Sequence, residues 1–207
     1  MYMFCLEADM KNKEKILKLV KKKGMVTASD LEKTGAYRNL IYEMCDEGLL
    51  VRQSRGLYSA SDTQFSEHFS MIEISKRSPD SVICLISALS IHSITTQLPH
   101  EVWIAVKRGS WIPKYDSPPV NVTVISGTAF DFGIEKRLIN GVEIRVYSIA
   151  KTVADCFKFR NKIGLDVAIE ALKEVVRSRK VSVDEIMKAA EICRVGSVIR
   201  PYLEAII

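Results

Sequence analysis

Along residues 11–23 the apolar positions Ile16, Leu17 and Val20 recur at helical spacing, and Lys13, Lys15, Lys18, Lys21, Lys22 and Lys23 fill much of the remainder. The pattern predicts a helix with one buried stripe and one basic face. Gly24 stops it after a lysine-rich last turn, where cations suit the negative end of the helix dipole. Thr27 is placed to cap a second short helix, with Asp30 in the acidic position of a capping box, and Gly35 breaks the chain again. A third helix is expected over residues 36–48. It turns Ile41, Met44 and Cys45 inward, joined by Leu50, and Tyr37, Arg38, Asn39 and Tyr42 outward. Residues 49–52 and 57–59 then form two strands around a turn at Ser54, Arg55 and Gly56. Short helices followed by an arginine-bearing hairpin outline a winged helix-turn-helix, assigned to residues 10–61.

The rest of the chain, residues 62–207, is expected to form a mixed α+β domain. Phe65, Phe69, Ile72 and Ile74 predict a helix within residues 60–77, packing between the two domains. Ser78-Pro79-Asp80 is expected to begin the next element, and residues 82–94 leave helix or buried strand open, their length and the Ser87-Ala88-Leu89 centre favouring helix. Short β-branched runs at residues 102–106 and 120–125 predict strands, separated by a long loop at residues 109–119 that holds three of the six prolines. A hairpin follows, from residues 134–140 into a strand at 141–147, with Asn140-Gly141 as its turn. From Ser148 the period becomes helical. Ser148 caps a helix bearing Ile149, Val153, Ala154 and Phe157, and Gly164 separates it from a stripe of Leu165, Ala168, Ile169, Leu172, Val175 and Val176. Ser182 with Glu185 caps a further helix through Ile186, Ala189, Ala190 and Cys193. The apolar tail, residues 198–207, is expected to pack back, giving a small sheet and a helical half.

Charge sharpens the picture of the first domain. Residues 11–61 hold 8 Lys and 3 Arg against 2 Asp and 4 Glu, so the whole formal excess of +5 sits in about a quarter of the chain. The outward residues of the third helix fit duplex DNA. Arg donates in a fork to guanine, Asn pairs with adenine, and Tyr reaches phosphate or sugar. Candidate DNA contacts are therefore Tyr37, Arg38, Asn39 and Tyr42 on that helix, Arg52 and Arg55 on the wing, and Lys22 and Lys23.

Elsewhere composition mainly excludes. With 47% hydrophobic and 27% charged residues the chain is a folded globular protein. No apolar run is long enough for a membrane span, and residues 1–9 lack the basic start of a secretory signal and are expected to form a poorly ordered leader. Cys5, Cys45, Cys84, Cys156 and Cys193 are scattered without metal spacing. Cys45, Cys84 and Cys156 fall in apolar patterns and are expected as small buried hydrophobes, which points to a reducing, cytoplasmic compartment, with no metal and no cofactor. Lys151-Thr152 lacks the glycines of a phosphate loop and is expected as an exposed pair in a helical first turn. His92 and His100 have no acid or cysteine in motif spacing. Asp131 with Glu143-Ile144-Arg145 is the nearest approach to a metal nuclease, but arginine replaces the lysine such a site needs. No catalytic residue is assigned. The alternatives to a non-enzymatic DNA-binding protein are a metal-dependent nucleic-acid-processing enzyme and a ligand-sensing transcription factor.

Several segments carry a family resemblance: RGLY at residues 55–58, SALSIH at 87–92, ITTQLP at 94–99, VWIAV at 102–106 and above all AKTVADCFKFRNKIGLDVAIEAL at 150–172. Together they resemble the AbiEi-type antitoxins of abortive-infection, type IV toxin-antitoxin systems. The resemblance implies an amino-terminal domain that represses its own operon at an inverted-repeat operator in double-stranded DNA. It also implies a carboxy-terminal antitoxin domain that counters a nucleotidyltransferase toxin without a stable complex. Arg38, Asn39, Tyr42, Arg52 and Arg55 inherit the DNA role, and Arg145, Lys158, Arg160 and Lys162 mark the antitoxin surface. Asp155 and Arg160 are expected as an intradomain ion pair or as solvated groups. A monomer or weak dimer is expected, since a palindromic site calls for two copies.

Overall fold

The computed structural model describes residues 2–54, 56–62, 68–95, 99–112, 114–139 and 142–207, with the side chains of residues 2–9 and 54 set aside. The chain divides into two compact units. One comprises Met1–Phe69 with Leu138–Glu143, the other Ser70–Arg137 with Ile144–Ile207.

In the first unit α1 (Tyr2–Lys23) leads into β1 (Met25–Thr27), α2 (Ala28–Glu32), α3 (Arg38–Asp46), β2 (Leu50–Ser54) and β3 (Leu57–Ala60). The expected leader is thus part of α1. No glycine or proline lies between Tyr2 and Lys23, so nothing breaks the helix ahead of its basic half. Gly24 does break it, at φ +68°. The strands form a three-stranded antiparallel sheet in the order β1-β3-β2, with Val26 opposite Tyr58 and Arg52 opposite Tyr58 on the other side. β1 went unread in the pattern because three residues show no alternation of their own; β3 supplies its partner. Ile16, Val20, Leu31, Leu40, Ile41, Met44 and Leu50 make the core of this unit.

The rest of the chain contains α4 (Phe69–Arg77), β4 (Val82–Ile83), α5 (Leu85–Ile91), β5 (Val102–Lys107), β6 (Val120–Ile125), α6 (Thr128–Asp131), β7 (Ile134–Ile139) and β8 (Val142–Tyr147), of which Phe69, the end of β7 and the start of β8 fall in the first unit. The helices α7 (Ile149–Lys158), α8 (Arg160–Ile163), α9 (Leu165–Ser178), α10 (Val183–Ile192) and α11 (Gly196–Glu204) follow. The five-stranded mixed sheet runs β6-β5-β4-β8-β7. Phe65 and the Asn140-Gly141 turn lie outside the described residues. The helix favoured across residues 82–94 is in part a strand: Val82 and Ile83 sit at the centre of the sheet, antiparallel to β5 and parallel to β8. Only Leu85–Ile91 is helical. Nor does Ser78-Pro79-Asp80 open a helix. It forms a turn in which the Ser81 amide and hydroxyl donate to the Ser78 carbonyl at 3.0 and 2.7 Å, since the fixed φ of proline suits a turn as well as a helix start.

β5 and β6 are adjacent and parallel. Parallel neighbours cannot be joined by a tight hairpin and need a crossover of about a dozen residues, which is why the connection at 108–119 is long and rich in proline. Gly133 is required where it stands. Its φ is +72°, and a Cβ there would meet the Lys151 Cβ at 2.8 Å and the Ser148 Oγ at 2.9 Å. Both predicted caps of the helical half form: Ser148 Oγ accepts from the Lys151 amide, and Ser182 with Glu185 makes a reciprocal capping box. Ile199 and Leu203 of α11 join the main core, as expected of the tail.

Candidate nucleic-acid interface

The helix-turn-helix is held by local bonds that the sequence dictates. Thr27 Oγ1 accepts from the Asp30 amide at 3.1 Å, while the Thr27 amide donates to Asp30 Oδ2 at 3.0 Å, so both ends of the capping box close. Thr34 and Gly35 then donate to the carbonyls of Leu31 and Glu32, ending α2 and setting the angle to α3. Within α3 the apolar positions Leu40, Ile41 and Met44 are buried. Their burial leaves the opposite face no choice but solvent. Tyr37, Arg38, Asn39 and Tyr42 are all exposed there, the Arg38 side chain to 80%. Arg38 Nε lies 3.5 Å from Glu32 Oε1, an exposed contact worth little that leaves the guanidinium available.

The wing brings a second arginine to the same place. Arg38, Tyr42 and Arg52, with Tyr58 from β3 and Ala28 at the start of α2, line one cleft of about 290 Å³. Burial pushes the Tyr58 hydroxyl above its ordinary pKa, against a smaller opposing pull from Arg52. The phenol therefore stays protonated and can donate. Two guanidiniums and two phenol-bearing rings around one cleft form a donor-rich concavity suited to phosphate oxygens. Gly56 turns the wing at φ +76°, while Arg55 lies outside the described residues.

The basic face of α1 is less open than its sequence suggests. Lys23 reaches Asp30 at 3.4 Å, Lys21 reaches Asp62 at 3.1 Å, and Lys13 meets Glu47 at 2.6 Å. Lys22 is exposed. The donors of α3 and the wing gather around one cleft, whereas α1 keeps Lys15, Lys18 and Lys22 exposed along its length.

In the second unit the four expected basic residues separate into two kinds. Arg145 Nη1 donates to the Asp80 carbonyl at 2.9 Å, and Arg160 Nη1 donates to the Phe157 carbonyl at 2.8 Å, so each ties its own fold together. Lys158 and Lys162 are exposed, Lys162 with its ammonium 5.9 Å from the Phe159 ring centre. Arg160 does not pair with Asp155. That carboxylate is taken by Lys151 at 2.5 Å, and both side chains are at most 1% exposed. Lys151-Thr152 is therefore a fully buried pair and not an exposed one. The ammonium also lies 4.3 Å from the Tyr147 ring centre, and Cys193 Sγ donates to the other carboxylate oxygen at 3.5 Å. Burial raises the pKa of Asp155 while the Lys151 ammonium pulls it back, and burial holds the Cys193 thiol up at about 11. The signal that could have revealed this pair was the spacing i, i+4 inside a helix with Ala150, Val153, Ala154 and Phe157 around it.

The remaining chemical candidates have ordinary partners. His92 Nε2 donates to the Tyr147 carbonyl at 2.7 Å from a buried position, and burial lowers its pKa. Asp131 pairs with Lys107 at 3.0 Å. Cys84, Cys156 and Cys193 are buried and Cys45 half-buried, all as free thiols. Among the described residues no group of three His, Cys, Asp or Glu side chains is placed to hold a metal ion, and no helix is long and apolar enough to cross a membrane.

No curated protein matches this chain significantly. Over 94% of this chain and 81% of the other, its fold is similar to that of the crystal structure of the RV2827C protein from Mycobacterium tuberculosis, with a TM-score of 0.59 at 12% identity. At that identity the likeness is one of fold. Residues 14–60, from the middle of α1 to the end of β3, match the family described as transcriptional regulator, AbiEi antitoxin, the same family that the motifs resemble.

Proposed function

We propose that the protein is a DNA-binding transcriptional regulator that represses its own operon at an inverted-repeat operator. Its second unit is then the antitoxin half, acting against a nucleotidyltransferase toxin. The convergence of Arg38, Tyr42 and Arg52 on one cleft, beside the exposed Asn39, is the observation that carries the DNA-binding part. α3 lies in the major groove with Asn39 on a base edge, and Arg38 sits at the boundary between base and phosphate. Arg52 on the wing neutralises the adjacent backbone. The regulator and antitoxin roles are supported by the family match over residues 14–60.

Binding to a duplex from the protein's own upstream region tests this. Arg38→Ala is expected to cost about 1–3 kcal/mol and to relax base preference, whereas Arg52→Ala weakens specific and unrelated duplexes alike. If both variants bind as the parent does, α3 and the wing are not the interface.

A further inference from the structure

The second unit carries a cleft that the regulator role does not use. It opens beside the crossover between β5 and β6, where Trp111 stands 81% exposed next to the exposed Ile112. Trp111 forms one wall. Arg77, Asp80, Lys107 and Ser110 contribute others, around a volume of about 250 Å³. That is smaller than the roughly 300–1,000 Å³ of pockets that enclose whole small-molecule ligands. It admits one flat group with its substituents outside.

The surroundings hold both signs of charge: Arg77, Lys107 and Asp80 line the cleft, and Arg108, Lys114 and Asp116 lie along the crossover. The crossover and its β5 boundary supply Lys107, Arg108 and Lys114, and Arg77 stands across the cleft. Arg108 and Lys114 are exposed and form no ion pair among the described residues. Lys107 pairs with Asp131, an exposed partner that competing anions can displace, and its ammonium lies 5.8 Å from the Phe130 ring centre. Arg77 is fixed more firmly. Its guanidinium lies 5.1 Å from the Tyr115 ring centre, donates to the Ser117 carbonyl at 2.8 Å and pairs with the largely buried Glu73 at 3.5 Å.

We propose that this cleft binds single-stranded nucleic acid, with one unstacked base against Trp111 and the flanking phosphates on Lys107 and Arg108. An exposed indole beside cations is the arrangement that holds single strands, because every base offers a π-face to stack on and a phosphate on either side. A duplex cannot satisfy it, since its bases are already stacked on one another. The Asp80 carboxylate can accept a hydrogen bond from a base N–H. The site is separate from α3 and the wing and does not rest on their role.

Intrinsic fluorescence of the full chain provides the test. The chain has two tryptophans, and Trp103 is only 8% exposed, so emission quenchable from solvent reports Trp111. Twelve-nucleotide oligo(dT) and oligo(U) are titrated with excess duplex present to occupy the amino-terminal unit. Saturable quenching that weakens with salt is expected. By anisotropy of labelled oligonucleotide, Trp111→Ala weakens binding roughly 5- to 100-fold, Trp111→Phe restores most of it, and Asp131→Asn tightens it by releasing Lys107. Unchanged affinity in Trp111→Ala overturns the proposal. So does quenching by polyglutamate or phosphatidylglycerol vesicles with none by oligonucleotide. Failure of the amino-terminal unit to bind duplex would leave these outcomes as they are.

Discussion

Lys151 and Asp155 sit one helical turn apart on α7 and meet at 2.5 Å with almost no solvent around either. Taking both charges out of water costs several kcal/mol each, so the pair is weak evidence of added stability, but removing one partner strands the other. Lys151→Ala should therefore destabilise the protein by about 3–5 kcal/mol. The double change Lys151→Met with Asp155→Leu, which leaves no orphan charge, should cost much less. Denaturant unfolding of both variants checks this, and equal losses would show that the ion pair is not what the site depends on. The i, i+4 spacing of Lys151 and Asp155 was there to read, but by sequence pattern Lys151 groups with Thr152 and Asp155 with Arg160, and their burial was not legible. Lysine and aspartate are seldom fully buried, and only the packing of α5, α9 and α10 on α7 closes the site from water. Arg38, Asn39 and Tyr42 were easier to place, because Leu40, Ile41 and Met44 fix the inward face of the same helix.

Elements were legible where the local chemistry is self-sufficient. The boxes Thr27 with Asp30 and Ser182 with Glu185 are closed by side chains three residues apart, and each marks a helix start where the spacing puts it. Thr27→Ala should cost about 1 kcal/mol. It should also weaken duplex binding, because α2 sets the turn into α3. Thermal unfolding and binding measured together separate the two effects, and a stability loss with unchanged binding would show that α2 does not position α3. Elements that depend on distant partners were harder to read. β4 has two residues and exists because β5 and β8 flank it. β1 depends in the same way on β3. α1 was read short because an acidic start looked like a leader, although no breaker separates Glu7 and Asp9 from the lysines that follow.

For the whole molecule, the shift in charge and periodicity along the chain suggests a cut after residue 61, whereas the two compact units are residues 1–69 with 138–143 and residues 70–137 with 144–207. Nor does that shift show the distribution of usable charge. Counting lysines overstated α1, because Lys13, Lys21 and Lys23 are engaged with Glu47, Asp62 and Asp30. In a chain of net charge +5, Arg52 on the wing and Lys15, Lys18 and Lys22 on α1 are exposed without an ion pair among the described residues, and Arg38 keeps an exposed contact to Glu32. The most direct measurement is the dependence of duplex affinity on salt concentration, for the parent and for Arg52→Ala. The expected result is a log–log slope of about −3 or steeper for the parent, shallower by about one unit in the variant, as one fewer phosphate is neutralised. A flat slope, or one that Arg52→Ala leaves unchanged, would contradict the assignment of this surface to DNA.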